Sequence, residues 1–371
     1  MVIISQSVFI TEFMRSWLHH STGRSEQSNI FHDYRGIFNL LIGLNNHGNV
    51  LFPNNGTRGS MDNRFYNLIV ILGPTASGKT RLAAMLARDM KSEILSADSR
   101  QVYRGLDLGT GKDLDEFTVD GISVSYHLID IVNPHYEFNV FEYQQRFYEC
   151  YSLLLRKGIL PIMVGGTGLY IEAALKGYRM IEVPENEEFR KKAETLHMQE
   201  LRSRLLAVNP DVHNTTDLVD RSRLIRAIEI AEYSRDHSTS RHMKHPDIRP
   251  LIIGVRWDRS VLRRRITERL HKRLDAGMVD EVKCLHDSGT SWEKLSFFGL
   301  EYRYISFYLK GDITYDEMLR TLNTRIHQFA KRQETWFRRM ERQGIIIHWI
   351  GGDDYGGLKA LVESMINADD A

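Results

Sequence analysis

Eight residues, Gly73-Pro74-Thr75-Ala76-Ser77-Gly78-Lys79-Thr80, lie between an apolar run and an amphipathic one. Their spacing is that of a phosphate loop. Glycines let the backbone wrap an anion, and the turn's N–H groups and the helix N-terminus supply positive potential. Lys79 adds a mobile cation for a terminal phosphate, and Thr80 offers a hydroxyl to Mg²⁺. The loop points to a polyphosphate or pyrophosphate, without saying which molecule carries it.

In doubly wound sheets ligands bind beyond the carboxyl ends of the strands, so partners for the loop are sought there. One strand runs into Asp98-Ser99-Arg100-Gln101. Asp98 is placed to accept a proton or to hold Mg²⁺ through water, or else to cap the next helix. Another strand runs into Gly165-Gly166-Thr167-Gly168. That turn either presents N–H groups and the Thr167 hydroxyl to an anion, or is a tight turn with Thr167 as N-cap. A third ends at His127-Leu128-Ile129-Asp130, where Asp130 is read as a strand-end salt bridge in preference to a metal-associated carboxylate.

Two later segments are basic. After Asp258-Arg259-Ser260, a helix start, Arg265, Arg269 and Lys272 fall at i, i+4 and i+7 on one stripe. Leu262, Ile266 and Leu270 form the apolar stripe beside it. Six Lys/Arg against one Glu give Leu262–Arg273 a net charge of +5. Such a run usually means a solvated face, but an Arg here, directly after a strand, can reach a leaving phosphate. Further on, Thr314-x-x-Glu317 reads as a capping box and Gly344 as a stop, predicting a helix over 315–343. Ile326, Phe329, Ala330, Phe337 and Met340 share its apolar face, and Lys331, Arg332, Arg338, Arg339 and Arg342 the other. The basic face suits a phosphate backbone or a solvated surface equally well on spacing alone. Trp336, at the edge of the apolar side, is read as core.

Elements that alternate β and α must position these groups. Strands are expected at Leu68–Leu72, Glu93–Ala97, Val124–Val132, Ile159–Val164 and Leu251–Trp257, with helices at about Lys79–Met90 and Phe141–Leu155. This is α/β text for a doubly wound, mostly parallel sheet. From Met180 to Pro250 no strand signal appears. Phe189, Ala193, Leu196, Leu201 and Leu205 give one helical stripe, and Leu224, Ile228 and Ala231 another. The expected organisation is an extension over 1–60, core over 61–179, a small helical insertion over 180–249, and the second part of the core over 250–371. The extension is read as loosely attached, so its removal leaves folding and activity intact.

The 371 residues are 42% hydrophobic and 26% charged, which excludes global disorder. Lys and Arg number 49 and Asp and Glu 48, a net charge of +1 that argues against a uniformly polybasic nucleic-acid binder. Residues 61–371 carry 45 of each sign. Yet Arg325–Arg342 has six basic residues against two acidic, so the balance is a sum of opposed regions and predicts a localised basic footprint. Cys150 and Cys284 cannot build a disulfide framework or a four-thiolate zinc site, and they fit a reducing cytoplasm. No apolar run approaches the ~20 residues of a membrane span.

The chain resembles the tRNA dimethylallyltransferases over about Leu68 to Ile350. The likeness is carried by the phosphate loop, by Asp98-Ser99-Arg100-Gln101-Val102-Tyr103-Arg104-Gly105-Leu106-Asp107-Leu108-Gly109-Thr110-Gly111-Lys112, and by His127–Asp130. Val164–Tyr170, Gly299-Leu300-Glu301-Tyr302 and Ala330-Lys331-Arg332-Gln333-Glu334-Thr335-Trp336-Phe337-Arg338 follow in the same order. The resemblance implies a P-loop NTPase-like sheet with a small all-helical insertion. It also implies a reaction: a dimethylallyl group moves from dimethylallyl pyrophosphate to N6 of the adenine just 3′ of a tRNA anticodon, a base flipped out of its loop. By the same likeness Asp98 accepts the amine proton, Thr167 approaches the oxygen bridging carbon and phosphorus, and Arg265 and Lys79 grip the pyrophosphate, with Mg²⁺ at Thr80. Asp98, Ser99, Arg100, Gln101, Thr167, Arg223, Arg226, Lys331 and Arg332 are the implied tRNA contacts. Relatives often carry Gln where this chain has Ser222, so only the two arginines of that segment carry over. No Cys follows Cys284, so the zinc-finger tail of longer eukaryotic relatives is not expected. A cytoplasmic monomer is expected. A small-molecule phosphotransferase with ATP in the loop is the main rival, and it has no need of the basic late helix. An RNA-binding protein with a structural nucleotide is the other, and it has no need of a base at Asp98.

Overall fold

The computed structural model describes residues 65–178, 180, 182–210, 218–237 and 245–367. The extension expected over 1–60 lies outside them. Six parallel strands form the central sheet: β1 (Leu68–Leu72), β2 (Ile94–Ala97), β5 (Tyr126–His127), β6 (Ile162–Gly165), β7 (Pro250–Arg256) and β8 (His348–Gly351), in the order β5-β2-β6-β1-β7-β8. Between β2 and β5 lies a small antiparallel pair, β3 (Thr118–Val119) and β4 (Ile122–Ser123), which the periodicity does not predict. β1 is central, with Ile69 opposite Ile162 on one side and Leu251 on the other. All five of its residues are buried, as a strand covered on both faces must be. Alternate side chains serve different layers: Leu68, Val70 and Leu72 join one core cluster, Ile69 and Ile71 the other.

The second cluster packs α1 (Lys79–Met90) and the C-terminal helix Tyr355–Asn367 on one face. The first packs α2 (Val140–Arg156), α3 (Gly168–Lys176) and most of the later helices on the other. Three short helices, α4 (Glu187–Thr195), α5 (Met198–Val208) and α6 (Arg221–Asp236), close around a core of their own. That core is Phe189, Ala193, Leu201, Leu205, Leu224 and Ile228, with Leu196 and Ala231 packed against it, as the two stripes predict.

Five further helices follow, of which the first and the last complete the frame of the site. α7 (Arg259–Asp275) follows β7 directly. Then come α8 (Met278–Asp287), α9 (Trp292–Phe297), α10 (Leu300–Leu309) and the long α11 (Tyr315–Arg342), 28 residues or about 42 Å. The α11 capping box is complete: Thr314 accepts from Glu317 N–H and Glu317 from Thr314 N–H. Its buried stripe is Met318, Leu322, Ile326, Ala330, Gln333, Phe337 and Met340, each large apolar member contributing about 1.5–3 kcal/mol of burial. Phe329, expected there, is exposed, and polar Gln333 is inside.

The expected strand Val124–Val132 is also corrected. Only Tyr126 and His127 pair with β2, because Leu128 (φ 66°) and Asp130 (φ 54°) are left-handed and break the ladder.

Candidate active site

The site lies beyond the carboxyl ends of β1, β2, β6 and β7, where helix N-termini also converge. The phosphate loop follows β1. Gly78, at φ +86°, makes the left-handed step into α1 that a side chain would resist. Ala76 adopts φ 61° without that freedom, so the loop holds a strained residue. Its neighbours fix it from outside. Trp257 Nε1 donates to Ser77 O at 2.9 Å, and Arg265 Nε donates to Ala76 O at 2.9 Å while its guanidinium stacks 4.6 Å from the Trp257 ring. Lys79 Nζ donates to Pro74 O at 3.3 Å across the loop. The Ser77 hydroxyl is fully buried there without a partner.

The basic stripe of α7 reaches this loop with one substitution in the expected set. Arg269 donates to Thr75 Oγ1 at 3.3 Å and pairs with Asp113, and Arg273 shares Asp113 at 3.1 Å. Lys272 is exposed, so the working stripe is Arg265, Arg269 and Arg273, at i, i+4 and i+8. Burial works to raise the Asp113 pKa, but Arg269 and Arg273 hold it below its ordinary value.

Asp98 leaves β2 half-buried. Its Oδ1 accepts Arg100 N–H at 2.9 Å within a turn that no helix follows, so Asp98 caps no helix, and the bond sets the carboxylate's orientation. Next door, Thr167 Oγ1 accepts Ser99 N–H at 3.3 Å. Thr167 starts α3 without capping it by side chain, and its oxygen serves the β2 turn as acceptor instead. Gln101 is fixed by Gly111 O at 3.0 Å and Ser96 Oγ at 3.3 Å, and Arg100 lies over the Phe297 ring at 4.7 Å. Asp98, Thr167, Arg265 and the loop are thus assembled as one cluster.

Asp130 pairs with Lys112, whose ammonium also meets Asp107 at 2.6 Å and Tyr103 O at 2.7 Å. This is the structural role. Lys331 and Arg332 are exposed on α11, immediately before the loop-facing Gln333. Arg223 is exposed on α6. Arg226 is engaged by Glu229 at 2.9 Å and by Val183 O at 2.7 Å, within the helical segment.

Two site-building residues are given no role by the sequence reading, although Gln333 lies inside a motif that carries the resemblance. Gln333 bonds both the loop and the Gly166 turn. Glu281 accepts from the N–H groups of Asp107, Leu108 and Gly109 at 2.7–3.1 Å and from the Tyr302 hydroxyl at 2.6 Å, anchoring the segment that carries Gly111. For Gln333 there was a signal, a polar residue in step with Ile326, Ala330, Phe337 and Met340. For Glu281 there was none.

Thr80, half-buried in the first turn of α1, is a hard oxygen donor suited to Mg²⁺. Among the described residues no three His, Cys, Asp or Glu side chains gather for a metal. The donors fit an ion shared with substrate phosphates, which needs only one or two protein ligands.

Burial, and then Arg269, lower the Lys79 pKa to about 8 against the opposing pull of Asp98, Glu116 and Asp113. A bound pyrophosphate stabilises the charged amine and raises that value. Affinity for pyrophosphate is therefore expected to be greatest below pH 8. It should fall by up to about tenfold per pH unit above 8, until the bound-state value is reached. Calorimetric titration of wild type and Lys79→Met checks this: equal slopes in the two proteins would remove Lys79 from the anion site.

Comparison with known proteins agrees with this geometry. A family model described as IPP transferase matches residues 101–340, and one described as Isopentenyl transferase matches residues 66–126. The tRNA dimethylallyltransferase 1 of Syntrophus aciditrophicus is 61% identical over 302 residues, 81% of this chain and 99% of that protein. That of Geotalea uraniireducens is 55% identical over 287 residues, 77% and 93%. The solved full-length tRNA isopentenylpyrophosphate transferase of Bacillus halodurans matches with a TM-score of 0.60 at 30% identity, over 82% of this chain and 98% of that one. A eukaryotic dimethylallyltransferase solved acting on tRNA shares the fold, with a TM-score of 0.66 at 20% identity over 82% and 79%. With a parallel sheet, a phosphate loop and these relatives in agreement, the chain belongs to the tRNA dimethylallyltransferase family.

Proposed function

We propose that the chain transfers the dimethylallyl group from dimethylallyl pyrophosphate to N6 of adenosine at position 37 of tRNA, releasing pyrophosphate. The observation that carries this is the placing of an oriented carboxylate, Asp98, and a prepared hydroxyl, Thr167, side by side at the rim of the phosphate loop. Phosphate binding alone needs neither. In the reaction the N6–carbon bond forms, the carbon–oxygen bond to pyrophosphate breaks, and the N6 proton passes to Asp98. The Thr167 oxygen already accepts Ser99 N–H, so its own proton is free to donate to the bridging oxygen as charge grows there. Arg265 spends Nε on Ala76 O and keeps its terminal nitrogens for the pyrophosphate. Mg²⁺ at Thr80, when bound, supplies further neutralisation of that charge.

Ser99, Arg100 and Gln101 would meet the anticodon loop, and Lys331, Arg332, Arg223 and Arg226 its backbone. Among the described residues no helix is long and apolar enough to cross a membrane. With the tRNA substrate and two free cysteines, this supports a cytoplasmic setting. Arg223→Ala is expected to weaken tRNA binding and to lower the slope of log affinity against log salt by about 1. Arg226→Ala should also loosen the helical segment through Glu229. An unchanged slope for Arg223→Ala would show that this arginine faces elsewhere. The activity itself is tested by mass analysis of nucleosides from tRNA incubated with the protein and dimethylallyl pyrophosphate. ATP turnover without tRNA, and no prenylated adenosine, would overturn the reading.

A further inference from the structure

We infer that Gln333 is a positioning residue for this reaction: its carboxamide sets the spacing between the phosphate loop and the Gly166–Thr167 turn. It thereby aligns the leaving oxygen with the Thr167 hydroxyl. The inference rests on the proposed reaction. Gln333 Oε1 accepts Thr75 N–H at 2.8 Å, and Nε2 donates to Gly166 O at 2.9 Å. Gln333 is 8% exposed; its bond to Gly166 O is buried and that to Thr75 N–H partly so. The two segments leave neighbouring strands, β1 and β6, but past the strand ends no ladder holds them in register. Among the described residues no other side chain hydrogen-bonds both.

The chemistry explains the residue type. One flat neutral group must accept from one side and donate to the other, which a carboxylate, a thioether or a hydrocarbon cannot do. The approach is close: a Cβ on Gly166 would stand 2.5 Å from Gln333 Nε2. The backbone of Gln333 is itself held, because its α11 stripe is buried and Arg339 on the same helix pairs with fully buried Glu172 of α3, the helix that Thr167 begins. The carboxamide therefore works from a rigid base.

Gln333→Met keeps length and shape but loses both bonds. Its kcat is expected to fall by about 30–100-fold, the scale of a misplacement near 1 Å, with KM for tRNA within about threefold of wild type. Pyrophosphate affinity by calorimetry should weaken by about tenfold. Gln333→Glu keeps the acceptor and regains a donor only when protonated. Its kcat relative to wild type should therefore rise as pH falls. Wild-type kcat and pyrophosphate affinity in Gln333→Met would overturn the inference. So would a pH-independent ratio for Gln333→Glu, with kcat, KM for tRNA and thermal midpoint all worsening together. A wild-type protein that prenylates no tRNA would overturn the reaction instead, while the pyrophosphate titration would still judge Gln333.

Discussion

Asp98→Asn is expected to lower the transfer rate by about 10³-fold and leave tRNA affinity within several-fold. The asparagine keeps an oxygen for Arg100 N–H, so the turn after β2 and its bond partner Thr167 stay in place. What it loses, on the proposed reaction, is the ability to take the N6 proton, without which the exocyclic amine is a poor nucleophile. Asp98→Ala should lose at least as much rate, and its turn loses a fixed acceptor as well. Single-turnover rates with dimethylallyl pyrophosphate, beside a tRNA binding curve, make the comparison. A rise of more than tenfold in the Kd for tRNA, with the rate of bound complex unchanged, would make Asp98 a contact residue rather than a base.

Lys112→Met should cost about 3 kcal/mol of stability and lower the thermal midpoint by roughly 4–5 °C. Lys112 is 1% exposed, and its ammonium meets Asp107, Asp130 and Tyr103 O. Removing one member of a buried charge cluster leaves its partners facing a gap with no cation. Asp107 and Asp130 retain some contact with water, which keeps the loss below that of a fully enclosed pair. Activity should fall further than stability predicts, because Asp107 starts the segment that delivers Gly111 O to Gln101. A midpoint within 1 °C of wild type would show that water replaces the ammonium freely.

Local signals made much of this molecule legible. The phosphate loop, Asp98 and Thr167 each sit in a short motif at a strand end, and the strand run gives their position. The α11 boundaries follow from a capping box and a glycine. The short helices of the insertion follow from stripes whose partners lie on one another. What was not legible depends on distant partners. Lys272 and Arg273 are neighbours in sequence, and only the position of Asp113, which Arg269 and Arg273 share, selects Arg273. Phe329 fits the apolar stripe of α11 by period, but no element covers it. The ladder of β5 fails because Leu128 and Asp130 turn left-handed, and Asp130 is held there by Lys112 from 18 residues upstream.

The order of the strands has a consequence for the chain as it leaves the ribosome. β1, emerging first, has no parallel neighbour until β6 arrives about 90 residues later, and its other edge waits for β7, some 180 residues on. The turns of the phosphate loop lose their outer supports, Trp257 and Arg265, for as long. The last fastening, Gln333, comes only in the final tenth or so of the protein. Assembly of the sheet is therefore expected to be late and nearly all at once, so a truncated nascent chain would have no anion site to misuse on passing nucleotides.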